Sequence, residues 1–220
     1  MEKRYFHCPL CSNGETSLFA KGENRFYYHC PKCDLVFVPS RYFVSHEAEK
    51  AKYDHHQNSL ENEGYVTFLN RLLIPLQTYL PPHARGLDFG SGPGPTLHLV
   101  MKEAGYPMDI YDYFYAPNKE VFSRRYDFIT STEVIEHLHH PLHELQKLWR
   151  ALKDGGVLGL MTAFRVENFS DWYYKRDLTH VAFYTPKTFQ WIADYLDAEL
   201  IIPQSGVVIL RKKATHPSQS

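Results

Sequence analysis

No charge of one sign dominates this chain: 24 Lys and Arg stand against 25 Asp and Glu in 220 residues, a formal net charge of −1 with histidines neutral. There is therefore no global field to gather nucleic acid. Long apolar runs are lacking too. None approaches the ~18 residues needed to span a bilayer, and Met1-Glu2-Lys3-Arg4-Tyr5 leads into no hydrophobic stretch of the signal-peptide kind. A cytoplasmic protein is expected. Internal repeats and low-complexity segments are also missing, which excludes solenoids and disordered linkers. With 44% hydrophobic and 22% charged residues, the composition is that of a folded chain. The length suits one full domain plus a small accessory module.

Cysteine is scarce, and its placement is informative. Cys8, Cys11, Cys30 and Cys33 form two CxxC pairs with 18 residues between them, and none is left over. A reducing compartment makes a disulfide framework the poorer explanation. Zinc takes four thiolates in a tetrahedron, so residues 1–40 are expected to form a small zinc ribbon with a closed, structural Zn2+ site. His7 and His29 are expected beside that site or at the surface. Four buried reduced thiols are the alternative.

Beyond the ribbon, a polar stretch runs from Ser45 to Gly64. Val66, Leu69, Leu73 and Leu76 then recur at near-helical spacing, which predicts a helix over about 61–80, bent at Pro75 and ended by Pro81-Pro82. From Arg85 onward, short apolar runs alternate with helical patterns, the signature of βαβ units and a mainly parallel sheet. Strands are expected near 85–89, 107–111, 126–130 and 156–162, with helices over 95–104 and 141–152. The second of these helices is expected to close at Lys153-Asp154-Gly155-Gly156 on a left-handed glycine. Thr185-Pro186-Lys187-Thr188 opens a last helix through about Leu196, and 199–202 with 207–210 form a closing hairpin.

The segment Gly86-Leu87-Asp88-Phe89-Gly90-Ser91-Gly92-Pro93-Gly94 sits between a strand and a helix. A dinucleotide fingerprint needs a small residue five positions after its first glycine, and here that position holds Pro95. Glycines fall instead at every second position, behind the acid Asp88. Asp88-Phe-Gly90-Ser-Gly92-Pro-Gly94 resembles motif I of the class I S-adenosylmethionine-dependent methyltransferases. Asp112, 18 residues after Gly94, matches that family's ribose-binding acid. Tyr126 to His137 resembles its fourth strand and following loop, and Leu152-Lys153-Asp154-Gly155-Gly156-Val157 the turn before its fifth. The resemblance covers about residues 85–162, and the whole chain is similar to small bacterial proteins that join a zinc ribbon to this domain.

The resemblance implies an α/β fold with a Rossmann-like sheet and helices on both faces. Only 13 residues separate Asp112 from Tyr126, so the third-strand region (β3 in that family) is shortened. The expected organisation is a ribbon over 1–40, a linker and helix over 41–80, the methyltransferase domain over 81–214 and a flexible tail over 215–220. The implied cofactor is S-adenosylmethionine, held by Asp88, Gly90, Ser91, Gly92, Gly94, Asp112, Thr132 and Glu133. Tyr113, with Phe114 and Tyr115, covers the adenine or packs as plain hydrophobic surface. Tyr53 and Asn58 lie on a segment that folds over the cofactor in similar proteins, or on an ordinary polar linker.

Candidate bases cluster at Glu133, Glu136, His137, His139 and His140, and again from Asp171 to His180. His137 and His180 are the catalytic candidates, since imidazole titrates near working pH. A structural anchor is the alternative for His137, and a metal role with Glu136 as co-ligand is a further one. His139 and His140 are expected in solvent. The acceptor is expected to be a small molecule. An RNA acceptor gripped by the ribbon and a non-catalytic cofactor-binding platform are the rival functions; the oligomeric state is open.

Overall fold

The computed structural model describes residues 6–55 and 58–214. The polar residues His56 and Gln57 and the expected tail over 215–220 lie outside them.

Among the described residues, ten strands and five α-helices follow in the order β1 (Ser17–Lys21), β2 (Phe26–His29), β3 (Val36–Phe37), α1 (His46–Tyr53), α2 (Glu63–Gln77), β4 (Gly86–Phe89), α3 (Thr96–Glu103), β5 (Met108–Tyr111), β6 (Tyr126–Thr132), α4 (Pro141–Ala151), β7 (Leu152–Met161), β8 (Ala182–Phe183), α5 (Pro186–Leu196), β9 (Ala198–Gln204) and β10 (Val207–Lys212). They build two sheets. The larger runs β5-β4-β6-β7-β10-β9 and the smaller β1-β2-β3-β8. In the larger one β5, β4, β6 and β7 are parallel, and the β9–β10 hairpin adds antiparallel to β7.

Both faces of that sheet are covered, and the strands alternate accordingly. Val157 and Met161 of β7, with Val207 and Ile209 of β10, pack on Leu69, Leu72, Leu73 and Leu76 of α2 and on Met101 of α3. Their neighbours Leu158, Leu160, Val208 and Leu210 face the other way, against Leu145 and Leu148 of α4 and Phe189 and Ile192 of α5. A strand buried on both faces reads as a continuous apolar run, which is why these segments show little polarity. Among the described residues no helix is long and apolar enough to cross a membrane.

Several boundaries differ from expectation. The helix predicted over 61–80 covers 63–77, capped by the Asn62 side chain on the Tyr65 N–H at 3.0 Å. It ends before Pro81-Pro82, with the Thr78 hydroxyl donating to the Pro75 carbonyl at 2.8 Å. Pro75 has no N–H for the carbonyl four residues back, and the Gln204 side chain donates to that Arg71 oxygen at 2.9 Å instead. The expected glycine cap after α4 is not formed. Leu152 is already extended at φ −77°, ψ 139°, and Gly155, at φ +76°, lies inside β7 where its register with β6 shifts. The strand predicted over 156–162 consequently starts at 152. No strand lies between β5 and β6 among the described residues; a 3₁₀ turn over Lys119–Ser123 fills that space, and β5 forms the sheet edge.

Candidate functional site

In the N-terminal module the two CxxC pairs fold alike. Ser12 N–H donates to the Cys8 carbonyl and Asp34 N–H to the Cys30 carbonyl, both at 2.9 Å. Ser12 and Asp34 take left-handed φ of 57° and 60°. Each knuckle therefore turns both sulfurs to one side. Cys8 and Cys33 Sγ lie 3.5 Å apart, Cys11 and Cys30 3.4 Å, and all four fall within 4.8 Å of one another. A tetrahedron with Zn–S bonds of about 2.3 Å spaces its sulfurs roughly 3.8 Å apart, so the donor set fits a metal. His29 Nε2 donates to Asp34 Oδ1 at 2.8 Å, and Asp34 Oδ2 accepts from Arg165 at 3.0 Å and Thr185 at 2.7 Å.

The carboxyl ends of β4, β5 and β6 open into a cavity of about 1190 Å3. Crevices at this end of an open α/β sheet hold ligands. The volume exceeds the roughly 300–1,000 Å3 typical of one small-molecule site, leaving room for two reactants. Its floor is the β4–α3 loop. Gly90 has φ +81°, and a β-carbon there would sit 2.4 Å from Val134 Cγ2, so only glycine fits. At Gly94 a β-carbon would meet the Asn58 carbonyl oxygen at 2.5 Å. This close approach seats the 58 segment over the loop. Gly90 N–H donates to the Tyr111 carbonyl at 2.7 Å, tying the loop to the end of β5.

Asp112 Oδ2 accepts from Gly92 N–H at 2.9 Å, and Oδ1 accepts from the N–H groups of Phe114 and Tyr115 at 2.8 and 3.1 Å. Each carboxylate oxygen can accept two hydrogen bonds, so Oδ2 retains capacity for a ligand hydroxyl. The Ser91 hydroxyl is buried in the same wall without a hydrogen-bond partner. Asp88 is 3% exposed and accepts from Thr130 at 2.9 Å. Burial, with the Asp112 charge adding to it, pushes its carboxyl up to about 7 against the hydrogen bond from Thr130.

Opposite the loop, the β6 end carries Thr132 and Glu133. Glu133 holds a left-handed φ of 52°, uncommon outside glycine and often retained at functional positions. The chain then turns so that Val181 N–H donates to the Glu136 carbonyl at 2.8 Å and the Tyr184 hydroxyl to the Ile135 carbonyl at 2.9 Å. These bonds bring His137 and His180 together, with ring centroids 4.7 Å apart. His137 Nδ1 lies 3.1 Å from the Thr179 carbonyl and His180 Nδ1 2.7 Å from that of Tyr174. A carbonyl only accepts, so each neutral ring carries its proton on Nδ1 and its lone pair on Nε2. Burial holds the His180 pKa below the usual imidazole value. Glu136 is fully buried, and burial with the Glu133 charge pushes its carboxyl well up. The Tyr174 hydroxyl lies between the two acids, 3.0 Å from Glu133 Oε2 and in closer contact with Glu136 Oε1.

Of the residues singled out by sequence, Tyr53, Asn58, Asp88, Gly90, Ser91, Gly92, Asp112, Tyr113, Thr132, Glu133, His137 and His180 all line this one cavity. Gly94 lies behind it, under Asn58. Tyr113 is 59% exposed and packs edge-on to Phe114 and His46. His139 departs from the solvent position expected for it: it is half-buried, stacked on Phe43 at 4.0 Å, whereas His140 is exposed. Helix α1 was not foreseen, yet it brings His46 and Glu49 to the cavity and pairs Lys52 with Asp177 at 2.5 Å. Its signal was present as Ser45 ahead of Glu47 and Glu49, an N-cap followed by an acidic first turn.

A family model described as a methyltransferase domain matches residues 53–201. The demethylmenaquinone methyltransferase of Protochlamydia amoebophila is 33% identical over 104 residues, which make up 46% of this chain and 40% of that protein's length. The chain thus matches less than half of that relative. The structure of the 1,6-didemethyltoxoflavin-N1-methyltransferase of Burkholderia thailandensis, bound to 1,6-didemethyltoxoflavin and S-adenosylhomocysteine, is 15% identical with a TM-score of 0.52, over 84% of this chain and 98% of that one. At that identity the likeness is one of fold.

Proposed function

The chain belongs to the methyltransferase-domain family, and on that premise we propose that it methylates a small-molecule acceptor with S-adenosylmethionine, its fold braced by a structural zinc on Cys8, Cys11, Cys30 and Cys33. The observation that carries this reading is the cavity at the ends of β4, β5 and β6, with an unpartnered buried hydroxyl, Ser91, in its wall. The bound cofactor supplies a methyl group on a positively charged sulfur, already activated for displacement.

The chain's own residues do the rest by placement. The 90–94 loop lets the ligand approach its backbone. Asp112 Oδ2 accepts a ribose hydroxyl while its bond to Gly92 holds the loop in place, and the Ser91 hydroxyl gains the partner it lacks. Asp88, Thr132 and Glu133 complete the cofactor side, Tyr53 and Asn58 close over it, and Tyr113 with Phe114 offers ring surface to the adenine. His137 and His180 line the acceptor side of the cavity and position the acceptor's nucleophilic atom.

Calorimetry with S-adenosylmethionine tests the cofactor half. Asp112→Ala should weaken binding by about 1–3 kcal/mol and Ser91→Ala by less; unchanged dissociation constants for both would empty this site of its assigned role. Release of S-adenosylhomocysteine across an acceptor library tests turnover, and binding without release would favour the platform. Steep salt dependence of RNA binding would favour the RNA reading.

A further inference from the structure

Glu136, His137 and His180 each place a donor atom within 4.8 Å of the others, two imidazole nitrogens and a carboxylate oxygen. We propose that these three residues form a binding site for a divalent cation of the manganese, iron or zinc type, separate from the four cysteines.

Three observations point there. The first is the tautomers: both rings donate from Nδ1 to backbone carbonyls of one segment, Thr179 and Tyr174, at 3.1 and 2.7 Å. A ligating histidine is held in this way, its far nitrogen oriented by a carbonyl behind it. The second is Glu136. It is fully buried, its Oε1 accepts from Tyr174, and its Oε2 has no hydrogen-bond partner. A carboxyl oxygen so deep in the protein is satisfied by a bound cation or by a donor. The third is the donor chemistry. Two imidazoles and one carboxylate suit transition-type divalent metals better than calcium or magnesium, which prefer all-oxygen shells. Glu133 lies beside this group, sharing the Tyr174 hydroxyl at 3.0 Å, and Asp177 Oδ2 lies 3.9 Å from His180 Nε2 while paired with Lys52.

His137 and His180 line the cavity and Glu136 lies behind them. The remaining coordination positions are therefore filled from the cavity, by water or by an acceptor oxygen. That selects hydroxyl-bearing acceptors, above all those with two neighbouring oxygens. Cation binding stands on its own; only its use on an acceptor rests on the methyl-transfer reading.

The test is Mn2+ binding to the full chain with its cysteines loaded with zinc, read by electron paramagnetic resonance and calorimetry. One Mn2+ per chain with nitrogen hyperfine coupling is expected. Glu136→Gln, His137→Gln and His180→Gln should each weaken it by ~10-fold or more, while zinc content, circular dichroism and S-adenosylmethionine affinity hold. Because Glu136 is fully buried, the half-buried His137→Gln variant carries the test if Glu136→Gln does not fold. No bound Mn2+ or Co2+, binding without nitrogen coupling, or binding indifferent to all three variants would overturn the proposal. Mn2+ binding in a chain that fails to take S-adenosylmethionine would leave the cation site standing and remove the methyl-transfer reading.

Discussion

At the scale of single residues, Asp88 shows how burial writes itself into pH dependence. Its carboxyl is pushed from 3.8 up to about 7, chiefly by loss of solvent. Between those values the folded protein keeps a proton that the unfolded chain has released. Stability from this group is therefore complete below about pH 4 and falls as pH rises towards 7, by on the order of 4 kcal/mol. Asp88→Asn should keep the Thr130 hydrogen bond and lose that slope. Urea unfolding at pH 4.5 and 7.5 should show the variant gaining on the parent as pH rises; a constant difference would mean that Asp88 stays ionised throughout. Gly90→Ala is a second residue-scale case. The left-handed φ of 81° and the 2.4 Å approach to Val134 predict a loss of about 2–4 kcal/mol in stability, together with weaker cofactor binding.

At the scale of elements, the segment that carries His180 is pinned by the N-terminal module. Arg25, 4% exposed and just ahead of β2, donates to the carbonyls of Lys175, Asp177 and Leu178 at 2.6, 2.7 and 2.9 Å and to the Tyr27 hydroxyl at 2.9 Å. One guanidinium thus gathers three carbonyls of one turn, a task its fork suits and an ammonium does not. Arg25→Ala should destabilise the fold by about 2–4 kcal/mol, since carbonyls are left without donors. It should also raise the KM for the acceptor more than that for the cofactor, because the 173–180 turn meets the His137 side of the cavity. Steady-state kinetics with each reactant varied in turn decides this, and equal effects on both would reduce Arg25 to general support. None of this was legible from the sequence: Arg25 and Asp177 are 152 positions apart, and no local spacing links them.

At the scale of the whole molecule, the four-cysteine module and the α/β sheet share one core. Cys8, Leu10, Cys30 and Cys33 pack in the same apolar cluster as Tyr184, Phe189 and Ile192. Strand β3 pairs with β8, so a segment from late in the chain completes the small sheet. With zinc on the four cysteines, as proposed, stripping it with a chelator should therefore lower the unfolding temperature of the entire chain in one transition and abolish S-adenosylmethionine binding. Differential scanning calorimetry with and without chelator measures this. A separate early transition with cofactor binding intact would show the module to be an independent appendage.

What the sequence by itself determined is local and periodic. The strands near 85–89 and 126–130, the Pro-initiated helices at 141 and 186, the twin knuckles and the glycine loop each follow from spacing and turn chemistry within a few residues. Most of the residues singled out by sequence line the one cavity, because strand ends and the loops that follow them meet at one edge of a parallel sheet. Only the tertiary structure decided what distant segments do together. It set His137 against His180 through the Val181–Glu136 backbone bond, gave the Arg71 carbonyl its donor in Gln204, and handed one strand of the small sheet to residues 182–183. The physical reason is the same in each case. A buried polar group must find a partner wherever the fold can supply one, and periodicity along the chain carries no record of which distant segment that will be.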